Sequence, residues 1–202
     1  SIGGGVCQIS TTLYNAALYA ELEIIQRQNH SMSVSYVKPS MDAAIAGTYK
    51  DFKFKNSTEY PIYIEGYTTS DKKITFNIYG KETRDSNRSI SFESVLVNEV
   101  KPNTILRDDA GQGLGYKSVS AGKTGYVAEL YKIVKVNGVQ TDRIKINKST
   151  YKGSDRVVTY GTAGDPTLSE NLRAAIAAQD EALADANVAA ANAAAAAAAP
   201  AQ

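Results

Sequence analysis

Ser1-Ile-Gly-Gly-Gly-Val-Cys-Gln-Ile-Ser-Thr-Thr-Leu-Tyr14 holds three consecutive glycines and the only cysteine of 202 residues. Ile9, Leu13, Ala16, Ala17 and Ala20 recur at helical spacing, which predicts an amphipathic helix over 8–20 with those residues inward. Cys7 then lies where a glycine turn becomes a helix. Unpaired N–H groups and the positive end of the helix dipole favour a thiolate there. Gly3, Gly4 and Gly5 let the backbone approach a ligand closely, and their N–H groups are candidates to face a developing oxyanion. The only histidine, His30, follows in Asn29-His30-Ser31. One Cys and one His are the minimum set for thiol nucleophilic catalysis. They fall short of the three or four ligands of a zinc site, so neither metal nor cofactor is expected. The competing reading of each is ordinary: a buried small hydrophobe and a structural histidine.

Several motifs in order extend this start: Gly3-Gly-Gly-Val-Cys-Gln-Ile-Ser-Thr-Thr-Leu-Tyr-Asn-Ala16, Leu22-Glu-Ile-Ile25, Asn29-His-Ser-Met-Ser-Val-Ser-Tyr-Val37, Met41-Asp-Ala43 and Tyr49-Lys-Asp-Phe-Lys-Phe-Lys-Asn-Ser-Thr-Glu-Tyr-Pro-Ile-Tyr-Ile64. Together, over about residues 1–80, they resemble the VanW domain of Gram-positive cell-envelope proteins. The resemblance implies a peptidoglycan L,D-transpeptidase with Cys7 as nucleophile and His30 as its histidine. Three positions depart from the family pattern: Glu21 stands for an expected glycine, and Ser33 and Lys38 for prolines. Family domains carry a long segment before the Gly-Gly-Gly-Val-Cys motif, so the chain reads as a mature or truncated product of a longer precursor.

Composition narrows the alternatives. Hydrophobic residues make up 43% and charged residues 21%, ordinary for a globular protein. The net charge of +1 excludes a global pull toward nucleic acid. Charge is spread unevenly: balanced over 1–85, basic over 86–165 and acidic over 166–202. One cysteine rules out an internal disulfide. No apolar run predicts a transmembrane segment.

Along the first region, 22–26 reads as extended. Residues 31–37 alternate with Met32, Val34 and Tyr36 on one side, a strand pattern. Pro39 and Ser40 mark a turn, and 41–46 fits a strand or a helical turn. Phe52 and Phe54 alternate with lysines. Runs 60–67 and 73–79 flank Thr69-Ser-Asp-Lys72 as a hairpin. The expectation is an α+β fold in domain 1–85, with the N-terminal helix packed on antiparallel strands. If the thiol and imidazole meet, a third group orients the ring. Asp42 is the first candidate, with Asn29 and Ser31 as competitors. Ser31 and Tyr36 are further candidates for lining the substrate groove, and strand packing is the plainer role for Tyr36.

Residues 81–89 read as a polar linker to a second module over 86–165. A strand is expected over 90–100. Asp108-Asp-Ala-Gly-Gln-Gly-Leu-Gly115 reads as a glycine-rich loop that meets neither calcium-loop nor phosphate-loop spacing. Asn137-Gly138 between 125–136 and 139–146 is a strong hairpin signal. Residues 156–160 form a last strand. Gly122-Lys-Thr-Gly-Tyr-Val127, Tyr131-Lys-Ile-Val134, Asn137-Gly138 and Val157-Val-Thr-Tyr-Gly-Thr162 resemble the five-glycine (G5) domain. That resemblance implies a thin all-β module that binds cell-wall sugars or acts as a spacer. Tyr116, Tyr126, Tyr131 and Tyr151 are stacking candidates, with packing as the alternative.

The tail, 166–202, reads as an alanine-rich, low-complexity helix. Thr167 and Glu170 form a capping box, and Leu172, Ile176 and Leu183 a stripe too narrow to bury much, so a solvated, frayed helix is expected. Two functions stand at this point. One is a cysteine L,D-transpeptidase forming 3-3 cross-links between stem peptides. The other is a non-catalytic wall-binding or spacer protein. Both imply an extracellular, wall-associated location, with peptidoglycan stem peptides and glycan as partners.

Overall fold

Helix α1 (Val6–Tyr19) starts where the glycine run ends, with Gly5 as its N-cap in the left-handed region. The computed structural model describes residues 4–197. The expectations for Gly3 and for residues 198–200 lie outside the described residues. The chain is α+β and divides into two compact units. The first comprises Ser1–Glu99 with Gly125–Lys152, the second Val100–Thr124 with Gly153–Gln202.

In the first unit α1 is followed by β1 (Glu23–Gln26), antiparallel to β2 (Lys53–Lys55). The hairpin β3 (Tyr63–Thr68) and β4 (Ile74–Tyr79) comes next. Strands β5 (Arg88–Val100), β8 (Gly125–Val136) and β9 (Val139–Tyr151) form a three-stranded sheet in the order β5-β8-β9. Asn137 and Gly138 both take positive φ and close the β8–β9 hairpin as the dipeptide signal predicts. Tyr14, Leu18, Ala43 and Leu130 make the core, with Phe52, Phe92 and Ile146 packed against it.

The buried face of α1 is Ser10, Thr11, Tyr14, Ala17 and Leu18, one position on from the expected face. Ile9 is instead exposed. The cause is polar. Ser10 Oγ donates to the Ala43 carbonyl at 2.6 Å, Thr11 Oγ1 accepts from Ala43 N at 3.0 Å, and Asn147 Nδ2 donates to Tyr14 Oη at 2.8 Å. Each buried hydroxyl is bonded, which removes the usual penalty. Residues 31–37 form no strand. They run as bends and irregular backbone, and their fixed points are hydrogen bonds to other segments rather than a ladder. Residues 41–46 are likewise irregular, ending in an isolated bridge from Ala46 to Lys50.

Glu21 ends α1 with φ 55°, the left-handed position that glycine usually fills. Arg88 grips its carboxylate with both terminal nitrogens, at 2.6 and 2.8 Å, and Lys132 and Arg84 add contacts at 3.0 and 3.2 Å. The Arg88 fork, against the opposing cost of burial, and then Lys132 and Arg84 bring its pKa down from 4.5 to about 2. The ion cluster offsets the backbone cost of a side chain there. It also ties 84–88, read as a free linker, to the helix end. Glu21 therefore stabilises the fold above about pH 4.5, and that contribution is lost as pH falls toward 2. Melting temperatures of the parent and of Glu21→Gln are expected to differ at pH 6 and to converge near pH 2.

In the second unit β6 (Thr104–Gly113) and β7 (Lys117–Ser120) flank β10 (Arg156–Ala163), with β6 parallel and β7 antiparallel to it. The expected loop at 108–115 is thus mostly strand. Its glycines let two backbones close up: a Cβ on Gly161 would collide with the Gly113 carbonyl and lie 2.8 Å from the Gln112 oxygen. Helices α2 (Pro166–Ala177) and α3 (Glu181–Ala197) follow. Asp165, not Thr167, caps α2: its side chain accepts from Leu168 N at 3.0 Å.

The tail is packed rather than solvated. Leu172, Ala175, Ile176, Ala184 and Val188 share a core with Leu106, Val158 and Tyr160. The chain breaks at Gln179, φ 56°, and folds α3 back against α2, so small alanines supply apolar area that the leucine stripe alone does not. Leu183 is exposed. Leu172 is fully buried, and Leu172→Ala is expected to cost about 2–5 kcal/mol by chemical denaturation. A solvated tail would show almost no change.

Candidate active site

Cys7 is the second residue of α1 and is half-buried. Gly5 carries φ 92°, and a Cβ there would meet nothing within 4 Å, so backbone conformation rather than crowding calls for glycine. No side chain caps the helix, and its first regular bond runs from Ile9 N to Gly5 O at 3.0 Å. The N–H groups of Val6, Cys7 and Gln8 are left without an intrahelical acceptor. Gly4 and Gly5 are exposed beside them. The thiol donates to the Ile45 carbonyl at 3.5 Å.

His30 is held by Asp42 at two points. The His30 backbone N–H donates to Asp42 Oδ2 at 2.7 Å, and ring Nδ1 lies 2.7 Å from the same oxygen. The other carboxylate oxygen accepts from Arg27 Nη2 at 2.8 Å and from the Tyr151 hydroxyl. Arg27 Nε also donates to the Asp42 carbonyl at 2.6 Å, and Nη1 to Ser149 Oγ at 2.8 Å. The Asp42 side chain is 1% exposed and the Arg27 side chain 6%. Burial alone would raise the Asp42 pKa. The Tyr151 hydroxyl, the two His30 bonds and the Arg27 charge outweigh it and hold the carboxyl below its usual range. Tyr151 pays the reciprocal cost: burial first, then the bonded carboxylate, raise its phenol to about 12.

An ionised carboxylate only accepts, so Nδ1 carries the proton and Nε2 is the ring nitrogen not engaged by Asp42. The Tyr36 hydroxyl lies 3.4 Å from Nε2, and the two rings meet edge to face. Partial burial pushes the Tyr36 phenol up. The other candidates bond elsewhere: Asn29 Nδ2 donates to the His30 and Thr150 carbonyls at 2.7 and 2.8 Å, and Ser31 Oγ accepts from Lys50 Nζ at 3.4 Å. Tyr151, expected among the sugar-stacking tyrosines, is 3% exposed and bonded to Asp42, so its ring is not free to stack. Tyr116 is exposed, while Tyr131 packs under the Arg143 guanidinium at 3.5 Å. Two concavities of the first unit have volumes of about 960 and 310 Å³: the larger is lined by Tyr19, Tyr60, Tyr79 and Arg84 among others, and the smaller includes Arg27 and Asn29 but not Cys7 or His30.

Sequence reasoning missed Arg27, Ser149 and Tyr151. Arg27 carried one signal, a lone cation at the end of an extended apolar run. The other two carried none, because Ser149 reaches Arg27 and Tyr151 reaches Asp42 from over a hundred positions away.

Comparison with known families assigns both halves. The family model described as VanW like protein matches residues 1–79, and that of the G5 domain matches 93–163. The chain carries a VanW domain followed by a G5 domain. The uncharacterized protein YoaR of Bacillus subtilis (strain 168) is 48% identical over 63 residues, 31% of this chain and 21% of that protein. The vancomycin B-type resistance protein VanW of Enterococcus faecalis is 33% identical over 85 residues, 38% of this chain and 30% of that protein. The chain therefore spans less than a third of these relatives. The solved IgA1 protease G5 domain is 22% identical with a TM-score of 0.29, over 38% of this chain and 94% of that one. Among the described residues, no helix is long and apolar enough to cross a membrane.

Proposed function

We propose that this VanW–G5 chain is an extracellular, cell-wall-associated protein and that its VanW domain is a cysteine L,D-transpeptidase acting on peptidoglycan. The observation that carries the reading is the buried Asp42–His30 pair. It engages ring Nδ1 and leaves Nε2 beside the Tyr36 hydroxyl, while Cys7 starts the uncapped helix. In the proposed reaction the Cys7 thiolate attacks the carbonyl carbon between the third and fourth residues of a stem peptide. Free N–H groups at Gly4, Gly5 and Cys7 stabilise the oxyanion. The C–N bond breaks, and the terminal D-amino acid leaves with a proton from His30. A side-chain amine of a neighbouring stem then attacks the thioester. It gives its proton to His30, the C–S bond breaks, and a 3-3 cross-link forms. Ser31 and Tyr36 line the acceptor side. In this reading the sequence modules are 1–85 catalytic, 86–165 G5-type and 166–202 the helical tail, with the G5 module contacting glycan.

Intact-mass analysis after brief exposure to iodoacetamide or a carbapenem tests the thiol. Rapid single adduct formation at Cys7 is expected. A non-catalytic wall-binding protein is the second reading. It is favoured by one observation: the larger concavity is lined away from Cys7. A thiol that labels only after unfolding would support it.

A further inference from the structure

We propose that strand β9, which lies in the segment matching the G5 family, completes the VanW active site, and that Tyr151 and Arg27 are positioning residues acting on His30 through Asp42. What the positioned ring then does rests on the acyl-transfer reading above.

The irregular stretch 29–42 carries His30, Tyr36 and Asp42, yet it lacks a ladder of its own. The β8–β9 hairpin holds it at both ends. At the start, Asn29 Nδ2 donates to the Thr150 carbonyl at 2.8 Å, and Lys152 N donates to the Ser31 carbonyl at 2.7 Å. At the finish, every polar group of Ser40 is taken: its N–H donates to Tyr151 Oη at 2.7 Å, its Oγ to the Ala128 carbonyl at 2.9 Å, and its carbonyl accepts from Asn147 Nδ2 at 3.1 Å. Ser40 is fully buried and sits at φ 66°. A non-glycine residue keeps that backbone only where its surroundings over-determine it, and all three restraints come from the hairpin. The Tyr151 hydroxyl therefore relays: it accepts from Ser40 and donates to Asp42. Arg27 bridges Asp42 to Ser149 of the same strand. Without these bonds the carboxylate is free to turn, and the imidazole loses its single tautomer and its aim.

The test uses the full chain. His30 is the only histidine, so its ring ¹⁵N resonances need no assignment. The parent is expected to show one tautomer, protonated at Nδ1. Tyr151→Phe, which keeps the ring and removes the relay, is expected to show a mixture, with acyl transfer falling about tenfold or more at unchanged KM. Arg27→Lys moves both readouts the same way. Tyr63→Phe, at an exposed site on β3, moves neither. A Tyr151→Phe chain with the parental tautomer pattern would overturn the proposal, because a strand that merely braces the fold leaves that pattern alone. If the tautomer shifts but the parent shows no acyl transfer, positioning stands and the enzyme reading fails.

Discussion

Cys7→Ala is expected to reduce acyl transfer to background, a loss of more than about 10³-fold, while the melting temperature stays unchanged. The size follows from the chemistry. A nucleophile that forms the covalent intermediate has no substitute, and its removal costs as much as losing the whole catalytic set. The structural silence follows from the surroundings. Cys7 is half-buried, and its thiol makes one long hydrogen bond, to Ile45, so little packing is lost. The measurement is cross-linked dimer released from stem-peptide substrates, together with intact mass for the thioester. Cys7→Ser is the sharper comparison, since it keeps a donor to Ile45 but offers a far poorer nucleophile. Parental turnover in Cys7→Ala rejects the mechanism outright.

Arg27→Met is expected to have the largest effect on stability, about 3–5 kcal/mol. Arg27 and Asp42 are almost wholly buried, and the arginine makes four contacts, three of them hydrogen bonds to Asp42 and Ser149. The fourth is with the Tyr14 ring, 5.5 Å from the guanidinium. Truncation leaves a carboxylate in the interior without its buried cation, held only by His30 and Tyr151, and that uncompensated charge dominates the cost. A urea midpoint of the first unit reads it. The same pair shapes the acid limb. The folded-state pKa of Asp42 lies below its ordinary value, so its contribution is present above about pH 4. It fades as pH falls through the folded-state value. In Arg27→Met the carboxyl protonates at higher pH, and acid unfolding is expected to begin earlier. An acid transition identical in parent and variant would contradict the electrostatic account.

The two candidate residues, Cys7 and His30, stood out because each is unique in the chain, and Asp42 because few carboxylates stand near His30 in sequence. What holds them was not. Tyr151 and Asp42 are 109 positions apart, and no local period records such a bond. The strand read at 31–37 shows the converse failure. Met32, Val34 and Tyr36 alternate as a strand should, but periodicity measures what faces inward, not whether a partner strand exists. Tyr36 and Met32 are exposed. The tail failed on size. Counting leucines and isoleucines gave too thin a stripe, whereas Ala175, Ala184 and Ala191 are buried because small side chains let two helices close on each other. The hairpins and their turns, fixed by neighbours in sequence, came through directly.

The return of residues 125–152 to the unit begun by residue 1 has a temporal side. A polypeptide leaves the ribosome N-terminus first. Cys7 and His30 emerge together, while the tyrosine that steadies their carboxylate is still unsynthesised. Until residues 125–152 are made, Asp42 lacks Tyr151 and Arg27 lacks Ser149, so the carboxylate beside His30 is held by fewer partners. A nascent chain stalled before Lys152 would carry His30 and Asp42 without the hydroxyl that steadies the carboxylate.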